Sequence, residues 1–271
     1  MPNLRILKYD YAPTVASISS STQATGFLDD HIITKFKNQT YRSTATSAQL
    51  TLIWTTAIDI SMVGLAFTNL TSSATMRVRG YATAGAGSPS FDSGTTACAE
   101  GGNLGLFRGT NTYSYGGGVY AESWFTGDTV EKIIIDVTDS TNPDGYIEIG
   151  RLVTGDYYEV SVNPNYGGST TVTDATTNVR NEAGDLLSEL KYQAKTIQLS
   201  FGLMPPADRE VMYSIFNSNG KNKAIYMSLF PKDSDAKKSQ MYRILGKQKE
   251  DLTVSQQYFN RETSGIVLEE V

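Results

Sequence analysis

The 271-residue chain has one histidine and one cysteine. With His31 as its sole imidazole, no centre needing two histidines can form, which removes the His-Glu-x-x-His zinc arrangement. Asp29 and Asp30 precede His31, but no Gly-x-Ser-x-Gly elbow occurs and neighbouring side chains on an extended segment point to opposite faces. A Ser-His-Asp triad is therefore not expected, and His31 reads as a surface or strand-end residue. Cys98 has no partner for an internal disulfide, which fits synthesis in a reducing cytoplasm. The chain also lacks the ~18 uninterrupted apolar residues of a membrane-crossing helix. Charge interrupts the segment Met1 to Tyr9 before it reaches the ~7 to 15 apolar residues of a signal-peptide core, so neither export by that route nor a membrane span is expected. Positive charge is not in excess either. A formal net charge of -5 argues against a protein that coats nucleic acid. Gly220-Lys221 and Gly246-Lys247 carry Ile215 and Met241 where a phosphate loop needs its first glycine, so nucleotide hydrolysis is not indicated.

The chain does have 24 glycines, 16 tyrosines and abundant Ser and Thr, which suit many short strands and tight corners. Ile133, Ile135 and Val137 share one face at period two, and Tyr146 to Ile149 alternates again with Ile147 and Ile149 together. Between them, Asn142-Pro143-Asp144-Gly145 puts each residue where a reversal favours it, so two paired strands are expected. Upstream, Leu50 to Trp54, Ile58 to Ile60 and Val63 to Phe67 read as further strands, with Val63, Leu65 and Phe67 pointing one way. Met76 and Val78 alternate with Arg77 and Arg79, which predicts one buried and one wet face. Gly150 suits a close approach by a bulky neighbour, and Gly155 suits a positive φ at the next corner. Arg151 is expected to tie strand ends together, through Asp156 or Glu148.

One helix is expected from Pro205 to Asn219, where Val211, Met212, Ile215 and Phe216 recur at helical spacing and Gly220 ends the run. Strands Thr196 to Phe201 and Ala224 to Phe230 flank it. Residues 85–118 are rich in Gly, Ser, Thr and Asn and far longer than the usual ~4 to 6 residue connection, which predicts a surface insertion. Lys232 to Lys249 is polar and basic and reads as solvated surface, a C-terminal extension from about residue 232. No internal repeat or linker divides the chain, so a single domain over 1–271 is expected. The fold class is mostly β, an antiparallel sandwich or jelly roll with a late strand-helix-strand element.

The block Pro143 to Leu152, with Gly155 and then Pro164-Asn165-Tyr166-Gly167, resembles a family of bacteriophage virion proteins built on a discoidin-like, galactose-binding-like β-sandwich. Val63-Gly64-Leu65, Asn69-Leu70 and Ala74 to Val78 are similar to that family's paired strands, and Thr196 to Phe230 to its closing unit. Val153-Thr154 departs from the pattern, where two larger apolar residues are usual. The resemblance implies a tail-tip or baseplate component located in the virion and made in the host cytoplasm. It also implies other tail proteins as partners, a symmetric homo-oligomer in the particle and, by fold analogy, host glycan as a ligand.

Candidate contacts for glycan or for a neighbouring subunit are Tyr113, Tyr115, Tyr120, Trp124 and Phe125, in or beside the Gly-rich insertion, together with Tyr166. For Trp124 and Phe125, core at the sandwich end is the simpler reading. Glu122, Asp128 and Glu131 are carboxylates available for glycoside hydrolysis by type alone. Asp136, Asp139, Asn142 and Asp144 gather oxygens near one turn, but miss the spacing of a helix-loop-helix calcium site and read as turn-stabilising. No catalytic residue, metal ligand or cofactor is assigned. A structural virion component acting by subunit assembly is expected, with a glycan-binding adhesion module as the alternative.

Overall fold

The computed structural model describes residues 2–101, 118–189, 191–258 and 261–271. The first part of the chain contains β1 (Arg5–Leu7), β2 (Ser17–Ser20), β3 (Tyr41–Arg42), β4 (Ser47–Thr68), β5 (Thr75–Tyr81), β6 (Phe91–Asp92) and β7 (Thr96–Ala97). It continues with β8 (Val119–Thr138), β9 (Glu148–Gly155) and β10 (Tyr157–Glu159). The remainder contains β11 (Ser169–Asp174), β12 (Thr177–Arg180), β13 (Leu186–Glu189), β14 (Gln193–Met204), α1 (Pro206–Asn219) and β15 (Ile225–Ser228). It ends with α2 (Ala236–Met241), β16 (Arg243–Gln248), β17 (Thr253–Tyr258) and β18 (Arg261–Glu270).

The expected corner is present. Ile133, Ile135, Val137, Ile147 and Ile149 are all fully buried, and Gly145, at φ 75°, donates its N–H to the Asn142 carbonyl at 3.2 Å. Asp139, also fully buried, accepts from the Thr71 N–H at 2.7 Å and the Thr71 hydroxyl at 2.8 Å. Asn142 Nδ2 donates to the Asn69 carbonyl, and Asn69 Nδ2 donates to Asp144 and to the Tyr146 carbonyl. The acidic turn is thus bound to the 69–71 loop. Asp136 bonds to Arg79 and Gln49, and no cluster of metal-ligating side chains occurs among the described residues.

Strands β4 and β8 form one long antiparallel ribbon with register shifts between Ile53 and Ile58 and again near Met62. The shifts bend the ribbon, so its two halves carry different neighbours. One half pairs with β2 and β5, the other with β9. Leu50, Leu52, Ile133, Ile135 and Val78 of one half share a core with Ile60, Leu65, Val119, Ile149 and Leu152 of the other, giving an antiparallel sandwich. The three strands expected between Leu50 and Phe67 are one, because Trp54 to Ala57 carry no turn residue and the chain only shifts register against β8 there. Phe67 also leaves the face of Val63 and Leu65. Its φ of 58° turns the side chain into a different cluster.

A second antiparallel sheet runs β10-β1-β15-β16-β18-β14-β11, with β17 on β18. The expected helix is α1, and its Met212, Ile215 and Phe216 pack on Ile197, Leu199, Phe201 and Ile244 of this sheet. Gly220, at φ 54°, closes it by donating to the Phe216 carbonyl. The flanking strands β14 and β15 form as expected but are separated by β18 and β16. The basic run from Lys232 is no extension: it holds α2 and then β16, an interior strand of the sheet whose Arg243 is 1% exposed. Leu7, Met62, Phe67, Tyr120, Trp124, Val153, Tyr226 and Leu245 fill the junction between the sheets.

Two glycines behave differently from each other. A Cβ on Gly150 would lie 2.9 Å from the Phe67 Cβ, which is the close approach expected. Gly155 is needed for space rather than for a positive φ, since a Cβ there would run into the Tyr9 carbonyl oxygen. Arg151 ties chain segments together as expected, but through the Thr34 carbonyl and Asp10 rather than Asp156 or Glu148.

Candidate functional site

The aromatic residues singled out in the sequence do not form one surface. Tyr120 and Trp124 are buried at the sheet junction, where Trp124 meets Tyr157 edge-on with ring centroids 5.0 Å apart. Phe125 stacks on Phe91 at 4.4 Å, and Tyr166 is fully exposed far along the chain. Tyr113 and Tyr115, with most of the Gly-rich insertion, lie outside the described residues. Core is therefore the correct reading for Tyr120 and Trp124.

The carboxylates are engaged too. Glu122 is buried, takes an ion pair from Arg243 at 3.0 Å, and accepts from the hydroxyls of Tyr226 at 3.0 Å and Ser228 at 3.3 Å. Burial, reinforced by the Glu122 charge, pushes the Tyr226 phenol well above its usual range. Arg243 also donates to the Tyr120 carbonyl, and Gln240 donates to the same oxygen at 2.6 Å. A cavity of about 50 Å³ lies beside Glu122, Trp124 and Arg243. Asp128 accepts from the Ser90 hydroxyl at 2.7 Å, and Glu131 from the Ala84 N–H at 3.0 Å. His31 bonds through Nδ1 to the Thr40 carbonyl.

A concave groove of about 440 Å³ opens at the β4 bend, lined by Tyr9, Tyr11, Thr14, Trp54, Thr55 and Thr56. Its wall is built by the segment after β1. Tyr11 donates its N–H to the Thr154 carbonyl at 2.8 Å, and Trp54 Nε1 donates to the Tyr11 carbonyl at 3.0 Å. Because Gly155 has no side chain, the backbone at Tyr9 can lie against it. Alternation along the extended segment then separates rings from charge. Tyr9 and Tyr11 stand together with ring centroids 4.9 Å apart, whereas Asp10 turns inward to the N–H groups of Ala12 and Thr154 and to Arg151. Burial raises the Asp10 pKa, against the opposing pull of Arg151. The Lys223 ammonium sits 4.5 Å above the Tyr9 ring. Neither tyrosine hydroxyl has a hydrogen-bond partner among the described residues. The alternation Tyr9-Asp10-Tyr11 is the sequence signal for this groove, but its other wall comes from residues more than forty positions on.

A second exposed feature is the ribbon formed by β11 with β14 and, beyond it, by β12 with β13. Every residue of β12 and β13 is exposed, including Val179, Leu186 and Leu187.

No protein-family model and no curated protein matches this sequence. Among solved structures, the chain is similar to chitosan-binding module 1 of a chitosanase/glucanase from Paenibacillus sp. IK-5, at 13% identity and TM-score 0.38, over 55% of this chain and 99% of that one. It is also similar to the family 32 carbohydrate-binding module of NanJ from C. perfringens in complex with galactose, at 12% identity and TM-score 0.37, over 57% and 99% of the two chains. A fucose-binding module from Streptococcus pneumoniae matches at 8% identity and TM-score 0.38, over 55% and 99%.

Proposed function

We propose that this chain is a non-catalytic glycan-binding module on the virion of a tailed phage, at the tail tip or baseplate. The groove at the β4 bend carries the reading. Its walls are aromatic rings, its polar groups are threonine and tyrosine hydroxyls, and the one carboxylate in the wall segment is turned away. Sugars present apolar C–H faces with a fringe of hydroxyls, and a wall of this kind meets both. Glycan-array binding with wild type, Tyr9→Ala and Tyr11→Ala tests it. Each variant is expected to lose about tenfold or more in affinity, with the melting temperature little changed in Tyr9→Ala and lowered in Tyr11→Ala, whose ring packs against the sandwich core. A wild-type chain that binds no glycan on arrays or on host cells overturns the reading.

The virion placement is supported by the resemblance of Pro143 to Leu152, and locating the chain in intact particles tests it. The non-catalytic reading is supported by the burial and pairing of Glu122. Cleavage of host polysaccharide by the purified chain would sink it.

The exposed ribbon favours a second reading, subunit assembly with other tail proteins. Apolar side chains on a two-stranded extension gain nothing from the body they leave, but are buried when a neighbour covers them. Light scattering with and without neighbouring tail proteins measures this directly. A chain that enters no larger assembly argues against it.

A further inference from the structure

We infer that β11 is a self-pairing edge through which two copies of this chain join their second sheets about a twofold axis at Val172. The inference deepens the assembly reading and is independent of the groove.

β11 is the terminal strand of its sheet, six residues long with an unbroken register against β14. The Ala175 N–H bonds to the Tyr192 carbonyl, which fixes the phase of the ladder. Ser169, Thr171 and Thr173 therefore direct their backbone groups to β14, and Thr170, Val172 and Asp174 direct theirs outward. Free edges usually carry Lys, Pro, a bulge or a very short span that blocks further pairing. The sequence Ser-Thr-Thr-Val-Thr-Asp has none of these, whereas β10 is three residues long with a charged end and β17 has a register irregularity.

Antiparallel pairing of β11 with its own copy has one register that uses the three outward residues. Val172 lies opposite Val172 of the second copy, Thr171 opposite Thr173, and Thr170 opposite Asp174. Asp174 is the only charge on the strand, and this register keeps the two copies of it at opposite ends. No like charges meet. Val172, now 63% exposed, becomes an apolar pair on the axis. An isologous contact of this form closes at two copies.

Sedimentation equilibrium of the full chain is the test, with wild type expected at twice the 29.5 kDa chain mass. Val172→Pro deletes an outward N–H and no bond to β14, so it is expected to weaken self-association by about tenfold or more with the melting temperature unchanged. In Val172→Cys the paired Cα atoms would stand about 5.5 Å apart, inside the disulfide range of about 4.4 to 6.8 Å, so mild oxidation is expected to give a covalent dimer. The only native thiol, Cys98, is buried and does not compete. A wild type that remains single at about 100 μM overturns the inference, since a self-association with a micromolar Kd is largely occupied there. So does a wild-type dimer whose Val172→Cys form does not cross-link. A chain that stays single alone but enters particles with tail proteins overturns it while leaving the assembly reading intact.

Discussion

Phe67 is a bulky residue held at φ 58°, a region that side chains with a Cβ seldom occupy. Two glycines make room for it, Gly150 beneath its Cβ and Gly118 against its backbone. Gly150→Ala is therefore expected to cost about 1 to 3 kcal/mol, read by urea denaturation. Lys195 makes a different kind of demand. Burial holds its ammonium down to about 8, against a partial pull from Glu270. Between about 8 and its ordinary 10.5, the unfolded chain retains a proton that the folded chain has shed, so stability rises with pH there. Below that window the buried charge is a standing cost. Above about 10 the buried phenols of Tyr120 and Tyr226 reverse the trend, since burial keeps them protonated after unfolded tyrosine ionises. Denaturation at pH 8 and pH 10 is expected to show a gain of up to ~1.4 kcal/mol per pH unit from Lys195, reduced in Lys195→Met to what the likewise buried Lys37 contributes.

At the scale of elements, Asp139 joins the β8 end to the 69–71 loop through two short bonds and no exposed surface. Asp139→Ala leaves the Thr71 N–H unpaired in the interior and is expected to cost about 2 to 4 kcal/mol by the same denaturation measurement. That corner was legible because its information is local: alternation, a turn tetrad and a glycine lie within seventeen residues of one another. The α1 stripe was legible for the same reason. β16 was not, because Arg243 looks like surface until Glu122 arrives from another sheet to pair with it. The groove was hidden in the same way, since Tyr9 and Trp54 meet only after β4 bends. Tyr120 misled in the opposite sense, whereas core was already the simpler reading for Trp124 and the structure buries it. The place of Tyr120 beside a Gly-rich stretch suggested an exposed contact, while the second sheet, unseen in local pattern, buries it.

For the whole molecule, the decisive connection is β1, which lies between β10 and β15 and pairs with both. Its Ile6 belongs to the core under α1, and the segment that follows it builds the groove wall on the sandwich. Removing residues 2–8 is expected to lower amide-exchange protection at 157–159 and on the side of β15 that faced β1, while the ladder of β15 with β16 and the 133–137 strand stay protected. Equal loss of protection everywhere would show that the two sheets unfold as one unit.

Because β1 waits for β15, Ile6 finds its second neighbour only after more than two hundred further residues have been made. Until then Ile6 has no finished shelter, and a chaperone or an accompanying protein that shields such an apolar stub would act early in biosynthesis rather than on the mature chain.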